Sequence, residues 1–225
     1  KTRGWQPLIA VKKDAPALAR LEAEGLASME IDLRGLPRRP SVELLVFTAQ
    51  LVAGLSLMSR AVRDFRPDLV LGMGGYLTLP AAAAAWRHGV ACALHESNAV
   101  LGLANAASLK LGAKLFWGLP PAGGNGKVVG TPVRPQLYAR KDPDVCRRAL
   151  GLDPSRATIL VFGGSQGAKA INVGLAGALK AAGCGAQVLH LAGRGKSEEA
   201  LAAYKNAGAT ATVLDYLDDM AAAYG

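Results

Sequence analysis

Four short runs in this chain set flexible backbone beside polar or charged side chains, and each follows an apolar stretch. The sharpest is Gly163-Gly164-Ser165-Gln166-Gly167, directly after Ile159-Leu160-Val161-Phe162 and ahead of a helical pattern. Glycines let the backbone turn tightly and approach a ligand closely, and free N–H groups at a helix start attract phosphate. Ser165 adds a hydroxyl donor. The second run, Gly72-Met73-Gly74-Gly75-Tyr76, also sits between an apolar stretch and a helix; alone it fits a purely structural turn as well. The third is His95-Glu96-Ser97-Asn98. The carboxyl end of a strand is where doubly wound sheets bind ligands, although Asn98 also reads as an ordinary helix cap. The fourth, Gly130-Thr131-Pro132-Val133-Arg134, places a cation after a strand and a rigid turn.

Three familiar motifs come close to the first run. A phosphate-binding P-loop ends in Gly-Lys-Ser/Thr, whereas Ala168-Lys169-Ala170 lacks both the last glycine and the hydroxyl. The dinucleotide pattern G-x-G-x-x-G does not fit the spacing, and no acidic residue follows the next strand. The loop there, Gly193-Arg194-Gly195-Lys196, suits phosphate better than a ribose diol. The nucleophile elbow G-x-S-x-G does match, but a hydrolase needs Ser, then an acid, then His in chain order. His190 is the only histidine after Ser165, and no acid lies between them. His190 reads as a packed strand residue, and His88 as part of a helix exit.

The elements that must hold these runs alternate apolar stretches with helical patterns, the signature of βαβ units. Strands are expected at 7–11, 29–33, 68–72, 91–95, 114–117, 127–129, 158–162, 187–191 and 212–214. Helices are expected at 16–24, 42–65, 78–87, 100–111, 145–150, 168–182, 197–206 and 218–224. The Pro-, Asp- and Arg-rich segment 134–156 reads as the junction of two doubly wound units, 1–134 and 135–225. Both ends read as cut, and in an order such as 3-2-1-4-5 the strand missing at the start is central, so strands 7–11 and 68–72 should not pair. A cleft lined by Tyr76, Asn98, Arg134 and Ser165 is expected.

The helix at 42–65 invites a membrane test. Its uncharged stretch, Leu44 to Met58, is 15 residues long and contains Gln50; spanning takes about 20 apolar residues. It is therefore expected to lie against a surface or in a core, not to cross a bilayer. Leu45, Ala49, Val52 and Leu55 share one face, which either packs on the sheet or faces outward.

Composition narrows the classes. Half of the residues are apolar (51%) and 19% are charged, which suits a packed α/β protein and not a disordered chain. Cys92, Cys146 and Cys184 are widely spaced with no C-x-x-C pair, so they read as free thiols without a metal role. A formal net charge of +9 points to an anionic partner. Nucleic acid is disfavoured, because neither a known binding motif nor an aromatic–basic stacking pattern is present.

In this order, the motifs resemble the lipid-linked N-acetylglucosaminyltransferases of peptidoglycan synthesis. The resemblance runs from Gly4-Trp5-Gln6 through Pro67-Asp68, Leu71 to Tyr76, His95 to Asn98, Gly130 to Arg134 and Gly163 to Ala168, ending at Asp218-Asp219-Met220-Ala221-Ala222-Ala223-Tyr224. It implies a GT-B fold of two Rossmann-like domains facing across a cleft. It also implies an inverting transfer of N-acetylglucosamine from UDP-N-acetylglucosamine to an undecaprenyl-diphosphate-linked acceptor, with no cofactor or metal. By motif, Asn98, Arg134, Ser165 and Leu217 contact the donor, with Gly164 and Gln166 beside them, while Gly74, Gly75 and Tyr76 lie on the acceptor side. Arg134 and the amides around Ser165 would stabilise the leaving UDP. The base is unassigned: His95 and Glu96 are candidates, and so is a Gly-rich, His-containing loop expected before Lys1. Leu45, Val52, Leu55 and Trp86 would form an apolar patch, rimmed by Arg34, Arg38, Arg39 and Arg87, that docks on the cytoplasmic face of the anionic inner membrane. Another GT-B UDP-sugar enzyme, such as an epimerase, and an inactive nucleotide-binding fragment are the alternatives.

Overall fold

Short apolar runs become parallel strands here, most of them followed by a helix. The computed structural model describes residues 4–33, 35, 42–123, 125–139, 141–164 and 166–225. The chain divides into two compact units, Lys1–Pro132 and Val133–Gly225.

In the first unit, β1 (Leu8–Lys12), α1 (Ala17–Ala23) and β2 (Ala27–Ile31) are followed by α2 (Val42–Phe65), β3 (Leu69–Gly72), α3 (Thr78–Arg87), β4 (Ala91–Glu96), α4 (Leu103–Leu109), β5 (Lys114–Trp117) and β6 (Lys127–Val128). β1 pairs with β2 in parallel; a separate parallel sheet has the order β3-β4-β5-β6. β1 and β3 share no sheet, as expected. The core gathers Ile31, Leu33, Met58, Val62 and Ala84, with Phe47 and Leu51 packed against it.

This core resolves the reading of α2. It is long and apolar enough to cross a bilayer by length and composition, yet Gly54, Met58 and Val62 on one side are buried in the protein. The opposite side faces outward: Leu45 is 72% and Val52 57% exposed. Ala49 is exposed too, while Leu55 is only half-buried at the margin. Packing of this face on the sheet is thereby overturned.

In the second unit a 3-10 turn (Pro135–Tyr138) precedes α5 (Pro143–Ala149), β7 (Thr158–Phe162), α6 (Lys169–Ala181), β8 (Gln187–Leu191), α7 (Ser197–Ala207), β9 (Ala211–Leu214) and α8 (Met220–Ala223). The sheet is parallel with order β7-β8-β9. Every residue of the central strand β8 is buried, as befits a strand covered on both faces. α5 starts two residues earlier than expected because Asp142 caps it, accepting from the amides of Asp144 and Val145, with Pro143 at the first turn. α7 stops at Gly208, which takes φ +70°.

Candidate functional site

The glycine turn after β3 is built by two consecutive left-handed residues, Gly74 (φ +85°) and Gly75 (φ +75°). The buried Thr78 closes it, its hydroxyl donating to the Gly74 carbonyl at 2.9 Å and its amide to that of Gly75 at 3.2 Å. This turn and the segment after β4 wall a cavity of about 470 Å³ that brings together Gly74, Gly75, Tyr76, Glu96 and Asn98. Its remaining wall is largely apolar, with Phe47, Leu51, Met73 and Leu103.

Glu96, only 4% exposed, organises the β4 side. One carboxylate oxygen accepts from the backbone and side-chain amides of Asn98, both at 3.0 Å; the other accepts from the Gly102 amide at 3.0 Å and Asn105 Nδ2 at 2.9 Å. Burial alone would raise its pKa, but these four hydrogen bonds outweigh burial and hold the carboxyl below the usual range. With these four bonds Glu96 holds the loop that follows β4. The same carboxylate explains why α4 starts at Leu103 and not at 100: residues 97–102 are stapled into an irregular turn. Asn98 is thus no helix cap; α4 is flanked by Gly102, with no capping side chain.

His95 is 5% exposed. Its Nε2 lies 2.9 Å from the Gly130 carbonyl, which can only accept, so Nε2 donates. In the neutral ring Nδ1, 3.4 Å from Ser97 Oγ, is then the acceptor. His95 therefore ties the end of β4 to the turn that leads toward Arg134, joining two of the sequence runs by one hydrogen bond. Arg134 itself is exposed in the second unit, flanking the 3-10 turn.

Ser165 and the rim arginines Arg34, Arg38 and Arg39 lie outside the described residues. Around Ser165, Gly164 and Gly167 close a turn through Gly167 N–H to Gly164 C=O at 2.9 Å, and α6 begins two residues later. The loop packs tightly against the residues after β8. A Cβ on Gly167 (φ +65°) would collide with the Ala192 carbonyl oxygen. Lys196 Nζ donates to the Gln166 carbonyl.

That second loop corrects one expectation. In the loop Gly193-Arg194-Gly195-Lys196, read from sequence as suited to phosphate, the amides of Gly195 and Lys196, with that of Ser197 next to them, are taken by the Asp215 carboxylate at 3.0, 3.1 and 2.9 Å. These bonds, the one from Gly195 foremost, bring the Asp215 pKa down to about 2. Leu217 follows in the same β9–α8 connection, half-buried.

Asn105, Asn172 and Asp215 escaped the sequence reading. Asn105 and Asn172 are each 1% exposed, and each sits near the start of an Ala-rich helix. A lone amide on an apolar stripe was the available signal, since such a group must find a partner. Asn105 Oδ1, at the cavity wall, has no partner among the described residues.

Residues 3–116 match the glycosyltransferase family 28 N-terminal domain and residues 158–225 the family's C-terminal domain. The chain is 34% identical to the UDP-N-acetylglucosamine–N-acetylmuramyl-(pentapeptide) pyrophosphoryl-undecaprenol N-acetylglucosamine transferase of Aeromonas hydrophila, over 100% of this chain and 62% of the relative. Identity is also 34% to the enzyme of the same name from Vibrio cholerae, over 99% and 62%. The crystal structure of MurG from Acinetobacter baumannii superposes with a TM-score of 0.69 at 28% identity, over 99% of this chain and 63% of that one. A Rickettsia africae glycosyltransferase shares the fold at a TM-score of 0.67 and 12% identity. The chain spans about three fifths of the length of the curated relatives it matches. The fold class is that of the GT-B glycosyltransferases, and the chain belongs to glycosyltransferase family 28.

Proposed function

We propose that the protein transfers N-acetylglucosamine from UDP-N-acetylglucosamine to a muramyl-pentapeptide carried on undecaprenyl diphosphate, with inversion, in peptidoglycan synthesis at the cytoplasmic face of the inner membrane. The observation that carries this reading is the similarity to transferases named for that reaction, continuous over the whole chain and through both sets of glycine turns. In the transfer, the acceptor hydroxyl oxygen bonds to the sugar's anomeric carbon as the bond to the UDP oxygen breaks, and the hydroxyl proton leaves to a base.

Negative charge then collects on the departing diphosphate. Arg134 and the amides beside Gly164 and Gln166 supply donors for it, Ser165 adds a hydroxyl, and Leu217 and Asn98 contact the donor's nucleoside and sugar. On the acceptor side, the left-handed pair Gly74–Gly75 keeps side chains away from the approaching diphosphate, and Tyr76 and the apolar wall receive the beginning of the lipid. Glu96 and His95 act by fixing Asn98 and the 130–134 turn.

The test is transfer of radiolabelled N-acetylglucosamine to a prenyl-diphosphate-linked acceptor by the full natural protein and its Arg134→Ala variant. A charge-assisted hydrogen bond is worth about 1.5–3 kcal/mol, so kcat/KM for the UDP-sugar should fall about ten- to a hundredfold. Absence of transfer by the unaltered protein would overturn the reading. A change below about twofold would remove Arg134 from the site.

A further inference from the structure

Beneath the β7–α6 glycine loop lies a chain of buried polar groups that no part of the transfer chemistry uses. Tyr204 on α7 is 1%, His190 on β8 0% and Asn172 on α6 1% exposed. Tyr204 Oη lies 3.0 Å from His190 Nδ1, His190 Nε2 lies 3.1 Å from Asn172 Oδ1, and Asn172 Nδ2 donates to the Ala192 carbonyl at 2.8 Å. The ring of Tyr204 stands edge-on to the imidazole, 5.6 Å between centroids.

The direction of every bond follows from the last one. A backbone carbonyl only accepts, so the Asn172 amide nitrogen must face Ala192, and its oxygen faces His190. An amide oxygen also only accepts, so His190 carries its proton on Nε2. Nδ1 is then the acceptor for the Tyr204 hydroxyl. Donors thus run one way, from α7 through β8 and α6 to a single carbonyl. Burial without a neighbouring carboxylate favours the neutral ring, and pushes the His190 pKa down.

That carbonyl is the one against which Gly167 rests, where even a Cβ would collide with it. Gly193, the next residue, is just as close: its Cβ would lie 2.5 Å from Gly167 N. The position of the Ala192 peptide therefore sets how far the glycine loop can settle.

We propose that Tyr204, His190 and Asn172 form a positioning relay that fixes the Ala192 carbonyl and, through it, the height of Gly167 and of the turn it closes with Gly164, on which the UDP-sugar diphosphate rests. The clause about the diphosphate depends on the function proposed above; the relay does not. His190 is a positioning residue and touches no substrate.

Two measurements on the full natural protein decide it. Long-range 1H–15N NMR of His190 at neutral pH should report a neutral ring protonated on Nε2 alone; a ring protonated on Nδ1 overturns the relay. The second compares Asn172→Asp with Tyr204→Phe, using calorimetric binding of UDP and transfer kinetics. The carboxylate introduced by Asn172→Asp would still accept from His190 Nε2 but cannot donate to Ala192, so this change cuts the last link; it also favours a charged His190 ring, whose two nitrogens would then both donate. Losing one hydrogen bond and facing a carboxylate toward a carbonyl should raise the UDP Kd and donor KM about tenfold, with kcat changed less than about threefold. Tyr204→Phe, which removes the first link but leaves the Ala192 bond in place, should lower the unfolding midpoint and raise KM by a smaller factor than Asn172→Asp does, about threefold. UDP binding unchanged in a folded Asn172→Asp protein overturns the positioning role. So does a Tyr204→Phe protein whose KM rises as far as that of Asn172→Asp, because the loop would then be responding to general loosening. Failure of the unaltered protein to bind UDP at all would refute the assigned ligand, while the NMR result still decides the relay.

Discussion

Carboxylates do most of the local engineering in this protein, and they do it by accepting backbone N–H groups. Glu96, the last residue of β4, holds the residues that follow it, 97–102, and Asp215, just past β9, holds residues 195–197 beyond the neighbouring β8. Asp215 allows a sign to be worked out. Its pKa in the folded protein is about 2, against about 3.9 in an unfolded chain. Between those values the unfolded chain takes up the proton first, so acid favours unfolding there. The contribution of Asp215 is therefore complete above about pH 4 and is lost as pH falls through about 2. An Asp215→Asn protein should show a lower urea midpoint than the parent, with a constant gap from about pH 7 to 5 that narrows below about pH 4. A gap that stays constant down to about pH 3 would assign the effect to shape and not to charge.

Elements were read more accurately than the loops that join them, and the reason is physical. A strand is announced by its own apolar residues and by the glycine or proline that ends it, so β5, β7 and β8 fall where the sequence puts them, at Lys114–Trp117, Thr158–Phe162 and Gln187–Leu191. A loop's shape depends on groups far along the chain. Nothing near residue 98 says that Asn105 will share its carboxylate partner, and nothing near Gly195 says that Asp215 will fill its amides. The glycines of α6 and its loop give a paired test of local against tertiary constraint. At Gly167 an added methyl meets the Ala192 carbonyl in a left-handed backbone, so Gly167→Ala combines overpacking, about 1–3 kcal/mol, with left-handed strain of about 1–2 kcal/mol. At Gly174, inside α6, an added methyl meets nothing within 4 Å, and alanine should stabilise the helix by about 0.5–1 kcal/mol. Urea titrations of the two variants should shift in opposite directions. A Gly167→Ala protein as stable as the parent would mean that the two loops are not in the contact described.

At the scale of the whole molecule, the combination to be explained is a net charge of +9 with an apolar helix face turned outward. α2 has two faces with different surroundings: Gly54, Met58 and Val62 are in the core, while Leu45 and Val52 are mostly exposed. The neighbouring α3 adds Trp86, 66% exposed. Arg87, next to Trp86, and Arg60, Arg63 and Arg66 toward the C-terminal end of α2 are exposed as well. A globular protein leaves so many large apolar groups on one helix face when a partner covers them. If the acceptor is the lipid-linked one proposed above, its lipid stays in the bilayer, and the bilayer surface is then the partner we propose for this face. Apolar contact would add to about 1 kcal/mol per basic residue near an anionic leaflet, giving reversible docking without insertion, in keeping with a helix whose other face is committed to the core. Flotation of the full natural protein with vesicles containing anionic phospholipid should carry it to the top of the gradient, less so with neutral vesicles and less again in high salt. Leu45→Glu combined with Val52→Glu changes only exposed positions, so the fold should persist while flotation is lost. Because Arg134 and the glycine turn proposed to hold the diphosphate belong to the second unit, the same variant should keep its affinity for UDP. Undiminished flotation of the folded double variant would remove this face from the docking surface; flotation lost together with UDP affinity would instead mean that the substitutions had damaged the protein as a whole.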